Sequence, residues 1–228
     1  MQTLYEAISN SNRKYDTVIF DLDGTLVDTF PGITDSISFV LQTALPDIDV
    51  FVPRDVIGPP PVREIFKQLV PKLGDDELDS LTAHFQGRYR AIGRKKSSPF
   101  PEVEATLLGL REIRITCFVV TNKPMIHTKN IVSNLGWNCF FEAIVTPDCR
   151  EPHFASKKEM MDDLIRSNKL DRANVVMVGD SLDDAEAAYN SKIKFVGVSY
   201  GYGVLDENMP YPMYQRISNM SELLSIVN

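Results

Sequence analysis

The segment Asp21-Leu22-Asp23-Gly24-Thr25-Leu26-Val27-Asp28 follows directly on an apolar run, Thr17-Val18-Ile19-Phe20. In an extended segment residues two apart project to the same side, so Asp21 and Asp23 can converge at a strand end, and Gly24 lets the backbone turn there. Two carboxylates in a small space repel each other. A hard divalent cation with oxygen ligands relieves that repulsion, and Mg²⁺ is the usual choice beside phosphate. One carboxylate can then attack phosphorus while the other moves a proton. The same residues also suit an ordinary turn, because Asp and Gly are favoured in turns.

Three further segments carry chemistry of the same kind. Thr121-Asn122-Lys123 follows Ile115–Val120; a short hydroxyl and exposed amides at a strand end can hold a phosphoryl oxygen, although Thr and Asn also serve as plain helix caps. Val178-Gly179-Asp180-Ser181-Leu182-Asp183-Asp184 again runs strand, glycine, acid and helix start. If its strand neighbours the first, Asp180 faces the same crevice as Asp21, with Asp184 close behind; helix capping by acids is the competing explanation. Between these two segments, Ser156-Lys157-Lys158-Glu159 offers a cation for the phosphoryl group, with Lys157 favoured and Lys158 left open.

Positioning such groups requires a scaffold with its strand ends together. Thr17–Phe20, Ile115–Val120, Ala143–Val145, Val175–Val178 and Phe195–Val198 each read as a buried strand. Helical patterns lie between them at Glu102–Arg111, His127–Leu135, Ser156–Asn168 and Asp184–Ser191. This alternation predicts an α/β fold, a doubly wound parallel sheet that binds ligands at the carboxyl ends of its strands. The interval from about 30 to 98 breaks the rhythm. Ile33, Ile37, Val40 and Leu41, and again Leu78, Leu81, Phe85, Tyr89 and Ile92, recur at helical spacing, which predicts an inserted helical subdomain with polar joints near Thr29-Phe30-Pro31 and Lys95–Pro99.

Composition narrows the partners. The chain has 228 residues, 43% of them hydrophobic, which is enough to bury a core and argues against disorder. Its formal charge of −7 repels nucleic acid and anionic membrane, while leaving room for a small anion held by local amides, a metal and a lysine. Cys117, Cys139 and Cys149 lack metal-site spacing and are expected to be reduced packing residues in a cytoplasmic protein. Met1–Lys14 has no apolar run to act as a secretory signal, and no segment is long enough to span a bilayer. His84, His127 and His153 are too scattered for a zinc site, and Trp137 and the Phe residues are expected in the core.

Taken in order, these motifs resemble the haloacid dehalogenase-like superfamily, in particular its phosphoglycolate-phosphatase-like branch, from about Tyr15 to the C-terminus. The matching motifs are Asp21–Asp28, Thr121-Asn122-Lys123-Pro124 and Gly179–Asp184, and Ser199-Tyr200-Gly201-Tyr202-Gly203 looks like the family's last core strand and loop. The resemblance implies a Rossmann-like core (residues 15–29 and 99–228), a small helical cap (residues 30–98) and an N-terminal extension (residues 1–14) of unassigned role. It implies a Mg²⁺-dependent phosphatase acting on a small phosphorylated metabolite, phosphoglycolate-like or a sugar phosphate, as a monomer or homodimer. Asp21 is then nucleophile and metal ligand, and Asp23 is general acid/base and binds metal through its main-chain carbonyl. Asp180 completes the metal ligands, Thr121, Asn122 and Lys157 hold the phosphoryl group, and Asp184 supports the metal site indirectly.

Some positions depart from the family pattern. The usual Lys-Pro pair is replaced by Arg150–Lys158, so the lysine is assigned by its distance from Asp180, and Glu102 stands where glycine is common. Cap selectivity is expected from Ile57–Arg63, where Arg63 can meet a second anionic group on the substrate or lie on a solvated helix face. Two other functions fit the motifs: a phosphosugar mutase of the same fold, and a phosphate-binding regulatory module without turnover.

Overall fold

The computed structural model describes residues 13–47, 51–53, 61–206 and 208–228. Residues 1–12 of the N-terminal extension and residues 57–60 of the proline loop lie outside the described residues. The chain enters through β1 (Thr17–Phe20) and the short β2 (Val27–Asp28), then passes through three helices, α1 (Phe30–Ala44), α2 (Val62–Leu69) and α3 (Asp75–Ala91). It returns through β3 (Ser98–Pro99), α4 (Val103–Glu112), β4 (Thr116–Val120), α5 (Met125–Asn134) and β5 (Ala143–Val145). The last third runs α6 (Lys157–Ser167), β6 (Val175–Gly179), α7 (Leu182–Asn190), β7 (Lys194–Val198), β8 (Gln215–Ile217) and α8 (Leu223–Val227).

Six strands form one parallel sheet in the order β5-β4-β1-β6-β7-β8. Val18, Ile19 and Phe20 have no exposed surface, because helices cover both faces. The two-residue period of a strand sorts their side chains: Val18 and Phe20 join one core, while Ile19 joins another with Phe118, Val120 and Met177. That second core is closed by Met160, Met161, Leu164 and Ile165 of α6 and by alanines of α7. Each such aliphatic or aromatic side chain contributes about 1.5–3 kcal/mol by leaving water. β1 sits at the point where the strand order reverses, between β4 and β6, so the carboxyl ends of β1, β4 and β6 open on one crevice.

The expected helical insertion is present as α1, α2 and α3. Ile37, Val40, Leu41, Leu78, Leu81, Phe85 and Tyr89 are buried as their spacing predicts, whereas Ile92 ends the stripe partly exposed. The chain leaves the sheet domain through β2 and returns through β3, and these two strands pair antiparallel, Val27 with Pro99 and Asp28 with Ser98. Both crossings therefore lie side by side. Among the described residues, no helix is long and apolar enough to cross a membrane.

Several expectations need correction. The sheet does not end at Ser199–Gly203; β8 adds a strand of which Gln215 and Arg216 are exposed, so no apolar run announced it. Phe39 is 47% and Phe51 83% exposed, not core. On α1 the inward side belongs to Ile37, Val40 and Leu41, and the Arg88 guanidinium stacks over the outward Phe39 ring. Of the cysteines, only Cys117 packs in the interior; Cys139, at the end of a short 3-10 helix, and Cys149, in the loop after β5, are exposed.

Glu102, ahead of α4, has a φ of 63°, the left-handed conformation that costs a residue with a Cβ roughly 1–2 kcal/mol. A glycine there escapes that cost, offset in part by its greater freedom in the unfolded chain. Glu102→Gly is therefore expected to stabilise the fold by about 0.5–1 kcal/mol. An unchanged or lowered midpoint in urea would contradict this.

Candidate active site

At the end of β1, the Asp21 amide donates to Val178 O at 3.0 Å, which ties the start of the acidic segment to β6. The chain then turns tightly, with Gly24 N donating to Val27 O at 3.0 Å and Leu26 N to Leu22 O at 3.0 Å. Gly24 has a φ of +84°, and a Cβ on it would stand 2.3 Å from Asp180 Oδ2. Glycine is thus required twice, by the turn and by the approach of Asp180.

Asp180, at the tip of β6, is held by backbone amides. Its Oδ2 accepts from Tyr202 N at 2.7 Å and Gly203 N at 3.1 Å, and its Oδ1 accepts from the Thr25 hydroxyl at 3.3 Å. Four residues on, Asp184 closes a capping box at the start of α7: its Oδ2 accepts from Ser181 N at 3.0 Å and Ser181 Oγ at 2.7 Å, and Ser181 Oγ accepts from Asp184 N at 3.3 Å. The other Asp184 oxygen accepts from Lys157 Nζ at 2.6 Å. Lys157, first residue of α6 after the Ser156 cap, also donates to Asp21 Oδ1 at 2.7 Å. Lys158 points away and pairs with Asp162 on the surface of α6, so the lysine beside Asp21 is Lys157. The second oxygen of Asp21 makes no hydrogen bond among the described residues.

Ligand oxygens of Asp21, Asp180 and Asp184 lie within 4.8 Å of one another, all three residues buried. Burial pushes the Asp21 carboxyl well above its usual range and outweighs the pull of Lys157; Asp184 and Asp180 push it further. Burial, then Asp184, raises Asp180 to about 6, against the opposing amides of Tyr202 and Gly203. Burial alone would lower the Lys157 ammonium, yet Asp184 and Asp21 carry it above its ordinary value, so it stays charged. Three carboxylates against one ammonium leave two negative charges. An all-oxygen set with that deficit suits a hard divalent cation.

Asp23 takes a different position from the one its spacing suggested. Its carboxylate is outside the acid cluster, in an ion pair at 2.8 and 3.1 Å with Lys123, whose side chain is 7% exposed. Thr121, at the end of β4, is buried, donates its amide to Val145 O at 3.1 Å and accepts from Lys123 N at 3.3 Å. Asn122 is exposed and donates to Asp183 Oδ2 at 2.8 Å.

Asp21, Asp23, Thr121, Asn122, Lys157 and Asp180 all line one cavity of about 510 Å³, and Asp184 lies beneath it, fully buried. The opposite wall comes from the helical insertion, including Ile33, Val62, Ile65, Phe85 and Tyr89. Arg63 also reaches the cavity, but Asp75 and Asp79 of α3 hold its guanidinium, each at 2.6 Å.

Several residues in this arrangement carried no assignment in the sequence. Lys123 is part of Thr121-Asn122-Lys123, but nothing in that segment marks a role for it; only folding brings its ammonium to Asp23. Tyr202 is another: its hydroxyl accepts from Thr29 N at 2.6 Å and Phe30 N at 2.9 Å and donates to Asp28 Oδ1 at 2.8 Å. It thereby ties the loop that holds Asp180 to the crossing into α1. The glycines flanking Tyr202 marked a tight loop and gave no hint of its partners.

A family profile described as haloacid dehalogenase-like hydrolase matches residues 18–198, and the chain belongs to that family. A 5'-nucleotidase of Pseudomonas aeruginosa is 30% identical over 85% of this chain and 87% of its own length. A phosphoglycolate phosphatase of Agrobacterium fabrum is 31% identical over 81% of this chain and 80% of its own. In structure, a haloacid dehalogenase-like hydrolase of Streptococcus pneumoniae superposes with a TM-score of 0.82 at 22% identity, covering 94% of this chain and 99% of that one, a likeness of fold.

Proposed function

We propose that the chain is a phosphoric monoester hydrolase in which Asp21 attacks the phosphorus of a small phosphorylated metabolite, phosphoglycolate-like or a sugar phosphate. The observation that carries this reading is the buried Lys157, 2.7 Å from Asp21 and 2.6 Å from Asp184, among acids delivered by two separate strand ends. Membership of a hydrolase family and relatives named as phosphatases support the reaction class. The cavity volume, about 510 Å³, suits a small molecule.

Asp21, Asp180 and the main-chain carbonyl of Asp23 are the residues that would hold Mg²⁺. When bound, the cation supplies positive charge against the acids and the phosphoryl oxygens. As the bond from an Asp21 oxygen to phosphorus forms, the bond from phosphorus to the leaving oxygen breaks, and Asp23 gives that oxygen its proton. Asp23 then takes a proton from the water that attacks phosphorus; the bond to Asp21 breaks and inorganic phosphate leaves. Thr121, Asn122 and Lys157 hold the phosphoryl oxygens, and Asp184 acts through Lys157 by fixing its ammonium. For Asp23 to move protons its carboxylate must part from Lys123, so the working complex differs from this arrangement at that ion pair.

In this reading residues 15–29 and 99–228 form the core and residues 30–98 the cap, whose closure excludes bulk water. The paired β2 and β3 at both crossings, bound through Asp28 to Tyr202, support a hinge there. The three free cysteines support a reducing compartment, the cytoplasm. The test is phosphate release from a panel of phosphorylated metabolites. Turnover is expected with Mg²⁺, to vanish in EDTA and to return when Mg²⁺ is restored. Undiminished release in EDTA would contradict the metal assignment, and no release from any ester would contradict the reaction.

A further inference from the structure

Beyond the acids, one corner of the cavity carries polar groups that the mechanism leaves unused. Tyr89 of α3 and His127 of α5 meet edge to face there, ring centroids 5.4 Å apart, and both line the cavity beside Lys123. The Tyr89 ring is stacked on Phe85 at 5.5 Å, and Tyr89 as a whole is 3% exposed. Its hydroxyl oxygen sits against Lys123 and helps to raise that ammonium, but its proton has no acceptor among the described residues, and His127 Nδ1 has no hydrogen-bond partner. A buried polar atom without a partner costs about 1–3 kcal/mol, and a wall of a ligand cavity is where such atoms are kept for a ligand.

The local charge has a definite sign. Burial disfavours a proton on His127, and so do three cations, Lys123, Arg90 and Arg94, against the single opposing acid Asp23. Lys123 lines the cavity, and because the proposed mechanism parts it from Asp23, its ammonium is left to face a negative group there. This corner lies on the Asp23 side of the cavity, where the proposed mechanism places the leaving group.

We propose that Tyr89, His127 and Lys123 form a subsite for an oxyanion carried by the leaving group, so that the substrate class is phosphate esters with a second negative group, a carboxylate or another phosphoryl. The assignment rests on the proposed phosphatase reaction for its orientation. Its test needs no turnover: calorimetric titration of the Mg²⁺-loaded protein with non-hydrolysable probes. 3-Phosphonopropionate carries the carboxylate, ethane-1,2-bisphosphonate the second phosphoryl, and 3-hydroxypropylphosphonate is the neutral counterpart. At least one charged probe is expected to bind about tenfold or more tightly than the neutral one, and the tighter of the two identifies the group.

In Tyr89→Phe and in His127→Phe, each shown to be folded by its melting curve, that preference is expected to shrink severalfold. Equal affinity for all three probes, or a preference that neither substitution reduces, would overturn the subsite. A preference that behaves as expected in a protein that hydrolyses no ester would leave the subsite standing and remove the phosphatase reading instead.

Discussion

Asp21→Asn is expected to lower phosphate release by roughly 10⁴-fold or more, the scale on which removal of a nucleophile disables a catalytic unit, while the protein remains folded. The second half follows from the charge balance. Burial raises the Asp21 carboxyl well above its usual range, so ionising it costs the metal-free fold stability. A carboxyl raised in this way contributes stability that is present below its unfolded pKa and lost as pH rises through its folded one. For Asp180 that window runs from 3.8 to about 6. In EDTA, the wild-type melting temperature is therefore expected to fall as pH rises through this window. Asp21→Asn, lacking one of the raised acids, should fall less and melt no lower than wild type at neutral pH. Retained turnover would remove Asp21 from the chemistry, and gross unfolding would show that its carboxylate is structural.

Lys157→Met is expected to be damaging in both respects. The ammonium is the cation between two buried acids, and Asp184, with no exposed surface, would keep its charge without its partner. Breaking a buried pair in this way costs about 3–5 kcal/mol, which at this chain length lowers the melting temperature by about 10 °C. Phosphate release should fall with it, since the proposed mechanism has the same ammonium hold the phosphoryl group. Lys158→Ala is the control on the adjacent residue: a half-exposed lysine paired with Asp162 on the surface is worth less than about 1 kcal/mol. If the two substitutions proved equally mild, the central position of Lys157 would be wrong. Chemical denaturation in EDTA, with both variants compared to wild type, measures the difference.

Much of this organisation was legible in the residues because burial leaves periodic signatures. Central strands buried on both faces read as continuous apolar runs, so Thr17–Phe20 matches its expected limits; Ala143–Val145 matches too, although it is the edge strand and only partly buried. The parallel sheet and the helical insertion followed from the alternation and its interruption. What escaped lacked a periodic signal: β2 and β3 are two residues each, and β8 exposes two of its three. The site divides along the same line. Asp21, Asp180 and Lys157 could be proposed because each follows a strand or opens a helix, where the fold directs chemistry. The partner of Asp23 could not, because Lys123 lies 100 positions away and only the packing of β4 against β1 brings them together. Helical spacing assigns Tyr89 to packing, which its ring fulfils; spacing says nothing of its hydroxyl.

The most direct test of the account asks whether phosphorus is ever bonded to Asp21. The protein is mixed with Mg²⁺ and an excess of a phosphate ester that it turns over, quenched in acid during steady state, and reduced with borohydride, which converts an aspartyl phosphate to homoserine. Peptide mass spectrometry then reads the chain. Homoserine at position 21, absent without substrate and absent in EDTA, is the predicted result. Steady phosphate release with Asp21 intact, or a label on another residue, would contradict it.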